Sequence, residues 1–349
     1  MERMCILFGG RSGEYDVSLM SAAAVIRACS KTKYDLLTVA IDRDGTWYKT
    51  TASPDMIEKD DWRKDAEPFD AVRLKAEADF VFPVLHGSFG EDGTLQGLLE
   101  MTDMPYAGCG VLASAVCMDK GAAKDIFVRN NIPTCAHMVF RAADIYEDAR
   151  AAADEISVTF EGDVFVKPAN AGSSIGISRV CGVEETVKAL KEAARFDRRI
   201  IVEAVVDGRE IEVAVVGNSR PETGELGEII HSGTYYDYDS KYSENSGTKL
   251  VIPAVLSPET REKIRELAVK AYKAADCCGF ARVDFFVEKT TGKVYINEIN
   301  TIPGFTRYSM FPLLMQAAGV NFTETIDKIV EAGHERYNDK NNRQALCGR

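Results

Sequence analysis

The chain has 349 residues, 46% hydrophobic and 28% charged, enough apolar material for the cores of two or three domains. Its net charge is −12, and Lys and Arg are scattered, which argues against the basic stripe of a nucleic-acid binder. No apolar run approaches the roughly 18–20 residues that would cross a bilayer, so no membrane role is expected. "MERMCILFGG" enters a strand directly, without a signal-peptide pattern. The cysteines (Cys5, Cys29, Cys109, Cys117, Cys135, Cys181, Cys277, Cys278 and Cys347) form no C-x-x-C pair, and the four histidines lie far apart. A zinc site is therefore not expected, and a reduced cytoplasm is the natural compartment.

In chain order, "MCILFGG" (4–10) reads as a buried strand ending in a glycine turn, and "VSLMSAAAVIRAC" (17–29) as a helix. "YDLLTVAID" (34–42) and "DFVFPVLHG" (79–87) read as further strands, and "TLQGLLEM" (94–101) as a short helix. This alternation implies a Rossmann-like parallel sheet domain over residues 1–108. Helical patterns run through 111–130 and 183–196, with strand, glycine loop and strand between them at "GDVFVKPANAGSSIGISRV" (162–180). "RRIIVEAVVDGREIEVAVVG" (198–217) reads as strand, turn, strand. Residues 231–250 are polar, aromatic and turn-rich, a length that usually marks function or disorder. "SPETREKIRELAVKAYKAADC" (257–277) is a helix with Ser257 at the N-cap and Pro258 at the first helical position. The last ten residues read as frayed. The expected fold class is α/β, turning to α+β in the C-terminal half, with a first unit at 1–108.

"FARVDFFVEK" and "KVYINEIN" are strands flanking "TTG". A three-residue hairpin loop, Thr290–Gly292 with glycine third, sets Lys289 opposite Lys293, Asp284 opposite Glu298 and Arg282 opposite Asn300. Side chains two apart share a strand face, so Arg282, Asp284, Glu298 and Asn300 form one polar quartet. Facing carboxylates repel unless something positive lies between them, and oxygen ligands of this kind suit Mg²⁺ beside nucleotide phosphates. The bland alternative is an exposed sheet face with an ordinary Arg–carboxylate bridge. Lys167 ends an apolar strand and leads into a loop with Gly172, Ser173, Ser174 and Gly176, which can turn backbone N–H groups toward phosphate. It lacks the G-K-[ST] of a Walker A loop, and Gly9, Gly10 and Gly13 do not fit G-x-G-x-x-G. His86 sits among glycines at the end of the third strand, where open α/β sheets bind ligands.

The motifs "GGRSGEYDVSL", "HGSFGEDGTLQGLLE", "CMDK", "FVKPANAGSSIGISRV", "SGTYYDYDSKY", "ARVDFF" and "NEINTIPGFT" together resemble the D-alanine–D-alanine ligase family from residue 4 to about 330. The resemblance implies an ATP-grasp fold in three units at 1–108, 109–203 and 204–349 and, in the cytoplasm, a homodimer making D-alanyl-D-alanine for peptidoglycan through an acyl phosphate. It implies two Mg²⁺, replaceable by Mn²⁺, on Asp284, Glu298 and Asn300. Lys120, Lys167, Ser173, Ser174, Glu203, Val206, Glu210 and Lys241 are then the ATP-binding residues, with Glu203 at the adenine and Glu210 at the ribose. Glu14 would pair with the first D-alanine's ammonium, and Ser173 and Tyr242 would close the site with it. Arg282 and the Gly304 N–H would face the tetrahedral oxyanion, Ser309 the acceptor's carboxylate and His86 the acyl group. Residues 232–250 would be the lid. Lys241–Tyr242 separates the chain from D-lactate-using relatives. The Ser309–Met310 step, where D-serine-using ones resemble Ser-Arg, points to D-alanine as acceptor, with D-serine slower. The alternatives are a D-alanine–D-serine ligase of the vancomycin-resistance type, another carboxylate–amine ligase of the same fold, and a non-catalytic nucleotide-binding module.

Overall fold

The computed structural model describes residues 1–172, 176–231 and 248–346. The first sheet contains β1 (Glu2–Gly9), β2 (Tyr34–Ile41), β3 (Trp47–Thr50), β4 (Ala66–Pro68) and β5 (Phe80–Pro83), in the order β4-β3-β2-β1-β5. β1, β2 and β5 are parallel, as the alternation with helices predicts. β3 and β4 add antiparallel at the β2 edge, so the sheet is mixed rather than wholly parallel. "WYKT" and "AEP" are too short to show a period of two. Its helices are α1 (Tyr15–Ala28), α2 (Pro54–Glu58), α3 (Leu74–Glu77) and α4 (Thr94–Met101).

The single helical pattern at 111–130 divides into α5 (Val111–Met118) and α6 (Lys120–Arg129). Asp119 makes the break, and its side chain caps α6 by accepting from the Ala122 N–H at 2.9 Å. Both helices pack into the core of the third sheet, together with Ile211, Val283 and Phe285. The second sheet is antiparallel, with β6 (His137–Arg141), β7 (Val164–Pro168), β8 (Ser178–Val180) and β9 (Arg199–Ala204) in the order β6-β9-β7-β8. α7 (Ala142–Thr159) and α8 (Val183–Ala193) cover it. α7 was not anticipated, because its inner face, Ile145, Ala149, Ala152, Ala153 and Ile156, is mostly alanine and contrasts weakly with its surroundings.

The third sheet is also antiparallel: β10 (Gly208–Val216), β11 (Glu222–His231), β12 (Thr248–Val251), β13 (Phe280–Glu288) and β14 (Val294–Asn300), ordered β12-β11-β10-β13-β14. The turn between β9 and β10 therefore passes from one sheet to another. Thr248, Lys249 and Leu250, placed in the lid by the sequence reading, belong to β12. α9 (Pro258–Ala274) starts as expected, with Ser257 accepting from the Thr260 N–H. α10 (Met310–Ala317) packs on β10 and β11, and α11 (Phe322–Leu346) returns to the first unit beside α1. α11 stays helical through Leu346, where fraying was expected; Lys340 there binds Glu100 at 2.7 Å.

The first and third sheets share one apolar cluster. Phe280 of β13 lies edge-on to Phe305 at 5.3 Å, and Phe305 edge-on to Phe82 of β5 at 5.9 Å. Next to it the backbones of Gly108 and Gly279 touch, and a Cβ on Gly279 would lie 2.8 Å from the Gly108 N and Cα. Gly279 also has φ +73°. Gly279→Ala is therefore expected to destabilise the fold by about 2–3 kcal/mol, through strain plus overpacking. Chemical denaturation checks this, and Cys278→Ala beside it should cost less.

Candidate active site

The hairpin carrying the polar quartet is built differently from the sequence expectation, yet it reaches the same pairing. Its loop has four residues: the Glu288 N–H donates to the Lys293 carbonyl at 2.9 Å, and Gly292, at φ +69°, donates back to the Glu288 carbonyl. Glu288, not Lys289, thus opposes Lys293. From that turn Val287 faces Val294, Phe286 faces Tyr295 and Phe285 faces Ile296. Continued regularly, this ladder would place Asp284 against Asn297. Instead the register shifts by one, Asn297 bulges, Asp284 faces Glu298 and Arg282 faces Asn300. The driving force is burial. Ile296 and Ile299 both enter the core that holds Phe285 and Val283. Two residues three apart cannot share a face of a regular strand, so an extra residue is required between them.

The same register places Glu212 of β10 beside Asp284. Glu212, Asp284 and Glu298 therefore form a row of carboxylates across three strands. Arg282 Nε lies 2.8 Å from Asp284 Oδ1 and 3.1 Å from Glu212 Oε2, and its Nη2 lies 2.7 Å from Asp284 Oδ2. Asn300 Nδ2 donates to Asp284 Oδ2 at 2.9 Å, and Lys120 Nζ lies 3.4 Å from Glu298 Oε2. Asp284 is 1% exposed, and burial, with Glu298 and Glu210 adding to it against Arg282, pushes its carboxyl up to about 6. Such a shift marks a charge that its surroundings under-compensate. Carboxylate and amide oxygens at this point fit a hard divalent cation, which would supply the compensation.

A second charged centre lies on the second sheet. Glu203 of β9 is buried between Lys124 Nζ at 2.9 Å and Lys167 Nζ at 2.5 Å. Burial alone would push its carboxyl up, but Lys124 and Lys167 outweigh burial and hold it well below the usual range. Glu210 lies half-buried on β10, and Val206 in the β9–β10 connection.

The "IPG" turn is clamped from the first unit. His86 Nδ1 lies 2.8 Å from the Ile302 carbonyl, and its Nε2 lies 2.9 Å from Ser21 Oγ. Ser21 Oγ in turn accepts from the Phe305 N–H at 3.2 Å. Gly304 therefore lies between anchors at Ile302 and Phe305. His86 is buried, and Glu91 Oε1 lies 3.8 Å from its Nδ1. Burial pushes Glu91 up to about 7. Burial would lower His86, but Glu91 and Glu14 raise it overall. Glu14 stands at the start of α1. Its carboxylate fills the space that a Cβ on Gly87 or Gly172 would need, 2.6 and 2.9 Å away. Ser309 Oγ is engaged within its own turn, accepting from the Thr306 N–H at 3.0 Å. Met310 is a core residue, its sulfur 2.7 Å from where a Gly227 Cβ would lie.

Ser173, Ser174, Lys241 and Tyr242, like most of the expected lid, lie outside the described residues. Sequence reasoning missed Glu212, Lys124, Ser21 and Glu91. Glu212 alone had a local signal, since it shares a strand face with Glu210.

Comparison with known proteins adds to this geometry. Residues 3–109 match the family described as D-ala D-ala ligase N-terminus, and residues 126–331 match D-ala D-ala ligase C-terminus. The chain is 44% identical to a D-alanine–D-alanine ligase of Acetivibrio thermocellus, covering 97% of both chains. It is also 44% identical to one of Ruminiclostridium cellulolyticum, covering 97% of this chain and 96% of that one. Among solved structures, the Coxiella burnetii D-alanine–D-alanine ligase superposes with TM-score 0.87 at 34% identity, covering 99% and 97%. The VanG D-Ala:D-Ser ligase of Enterococcus faecalis superposes with TM-score 0.86 at 36% identity, covering 95% and 99%.

The Asp284 shift gives a prediction with a definite sign. Its folded value, about 6, lies above the ordinary 3.8, so the native state binds the extra proton between these values. That contribution to stability is full below about 4 and lost as pH rises to 6. Without divalent cation, Asp284→Asn should therefore gain about 2 kcal/mol relative to the parent between pH 4 and 6.5. Urea unfolding at both pH values measures it; a difference that does not change with pH contradicts the burial argument.

Proposed function

The chain belongs to the D-alanine–D-alanine ligase family, with its ATP-grasp fold, and on that premise we propose how its residues carry the ATP-dependent joining of two D-alanines. Membership in a family of ligases sets aside the non-catalytic nucleotide-binding reading. The observation that carries the residue assignment is the row Glu212–Asp284–Glu298, with Arg282 and Asn300 in register, facing Lys120.

Glu14, in the gap left by Gly87 and Gly172, pairs with the ammonium of the first D-alanine and turns its carboxylate toward ATP. Glu203 accepts from the adenine amino group, Glu210 holds the ribose, and Lys120 and Lys167 hold the phosphates. Asp284, Glu298 and Asn300 would hold Mg²⁺ or Mn²⁺, which would supply charge neutralisation beside the phosphates. A carboxylate oxygen of the first D-alanine attacks the γ-phosphorus, the bond to ADP breaks, and an acyl phosphate forms. The amine of the second D-alanine attacks the acyl carbon and gives up a proton, and phosphate then leaves with the electron pair of its C–O bond. Arg282 and the Gly304 N–H stabilise the oxyanion between these events, a contribution of about 3–4 kcal/mol for such donors. The clamp by His86 and Ser21 keeps that N–H aimed. The dipeptide feeds peptidoglycan precursor synthesis, and a cytoplasmic homodimer completes the reading.

The VanG resemblance keeps D-serine in view as acceptor. With ATP, Mg²⁺ and a mixture of D-alanine, D-serine and D-lactate, the expected products are D-alanyl-D-alanine, ADP and phosphate, with D-serine slower. A higher specificity constant for D-serine would sink the acceptor assignment. Glu298→Gln should reduce turnover at least about 100-fold with an unchanged circular dichroism spectrum. Retained turnover would remove Glu298 from the metal site.

A further inference from the structure

Lys124, on α6, is a buried cation to which the steps above assign no role. Its side chain is 1% exposed, and its ammonium can donate three hydrogen bonds. The acceptors around Nζ come from separate parts of the chain: Glu203 Oε1 at 2.9 Å, Thr134 Oγ1 at 3.0 Å, Cys135 Sγ at 3.3 Å and the Asn297 carbonyl at 3.3 Å. The last is the bulge residue of β14. A bulge interrupts the ladder there, and a partly buried carbonyl so displaced is best satisfied by another donor. Lys124 is that donor. Thr134 Oγ1 donates to the Ile296 carbonyl at 3.0 Å, and the Ile296 N–H donates to the Pro133 carbonyl at 2.8 Å. The bulge is thus held by Lys124 and by the short segment that Lys124 also binds. At its other end the ammonium holds Glu203, on a different sheet. One helical turn earlier, Lys120 reaches Glu298 from the same face of α6.

We propose that Lys124 is a positioning residue that joins the base-binding carboxylate Glu203 to the Asn297 bulge, so that one ammonium sets both adenine recognition and the placement of Glu298. The inference rests on the assignment of Glu203 to adenine and Glu298 to the metal made above. Lys124 itself touches neither ligand. It fixes an ionised Glu203 as a hydrogen-bond acceptor, which suits the amino group of adenine and not the carbonyl of guanine. Through the Asn297 carbonyl it also keeps the register shift that turns Glu298 toward Asp284.

Three binding measurements without D-alanine test this: calorimetric affinities for ATP and for GTP, and Mn²⁺ binding followed by electron paramagnetic resonance. For Lys124→Met, expected effects are about a tenfold or greater loss of ATP affinity, a comparable loss of ATP-over-GTP preference, and about a tenfold weaker Mn²⁺ affinity. Lys124→Arg, which keeps the charge beside Glu203, should recover part of each. A lower melting temperature with all three quantities within twofold of the parent would leave Lys124 a structural residue and overturn the proposal. Loss of the nucleotide effects alone, or of the metal effect alone, would overturn the coupling. If Lys124→Met does not fold, Lys124→Arg decides, because its altered donor geometry should shift both affinities at least about threefold and no shift refutes the inference. Glu203→Gln and Glu298→Gln run alongside. If they leave nucleotide and Mn²⁺ binding unchanged, the site assignment fails; if they weaken binding while Lys124→Met does not, only the Lys124 inference fails.

Discussion

Asn297 is one residue more than a regular ladder between β13 and β14 can hold, and the position of the acidic face follows from it. Burial of both Ile296 and Ile299 against Phe285 and Val283 forces the extra residue out. Two fully buried isoleucines are worth roughly 3–6 kcal/mol, more than a bulge costs in lost pairing. Once the shift is made, Glu298 and Asn300 cannot avoid the face that carries Asp284, Arg282 and Glu212. The apolar core on one side of the sheet thereby dictates the chemistry on the other.

That chemistry stands under electrostatic tension. Glu212, Asp284 and Glu298 lie side by side, with Arg282 and Asn300 both engaged by Asp284. Burial pushes the Asp284 carboxyl up to about 6. A fold selected for stability alone would not assemble such a row; a site that must attract cationic charge beside phosphates benefits from it. Glu203 shows the opposite arrangement, a buried carboxylate compensated by two lysines and kept ionised. In the proposed function one centre would receive a cation and the other would accept hydrogen bonds. Lys124 touches Glu203 and the Asn297 bulge that shapes the acidic face.

Much of this was legible in the order of residues. The strands β1, β2 and β5, the helices α4 and α9, and the polar quartet follow from periodicity, capping residues and a glycine-ended turn. The quartet was reached through a turn one residue too short and without the bulge, two errors that cancel. The signal for the bulge was present in "INEI", whose isoleucines are three apart. What could not be read depends on distant segments. Lys124 becomes a buried brace only because β9 brings Glu203 to it and β14 brings Asn297. Ser21 looks like a small residue on a helix face until the "IPG" turn arrives from the far end of the chain. α7 hid behind alanines, and β3 and β4 were too short to show a period.

The central claim is that a bulge at Asn297 places Asp284, Glu298 and Asn300 on one face, where a divalent cation and nucleotide phosphates meet. A crystal structure with Mn²⁺ and ADP, with the cation located by its anomalous scattering, tests it most directly. The account predicts one or two cations in contact with all three side chains, with Asn297 still bulged and its carbonyl on Lys124. A cation bound away from this face, or a regular β14 with Glu298 turned from Asp284, would contradict it.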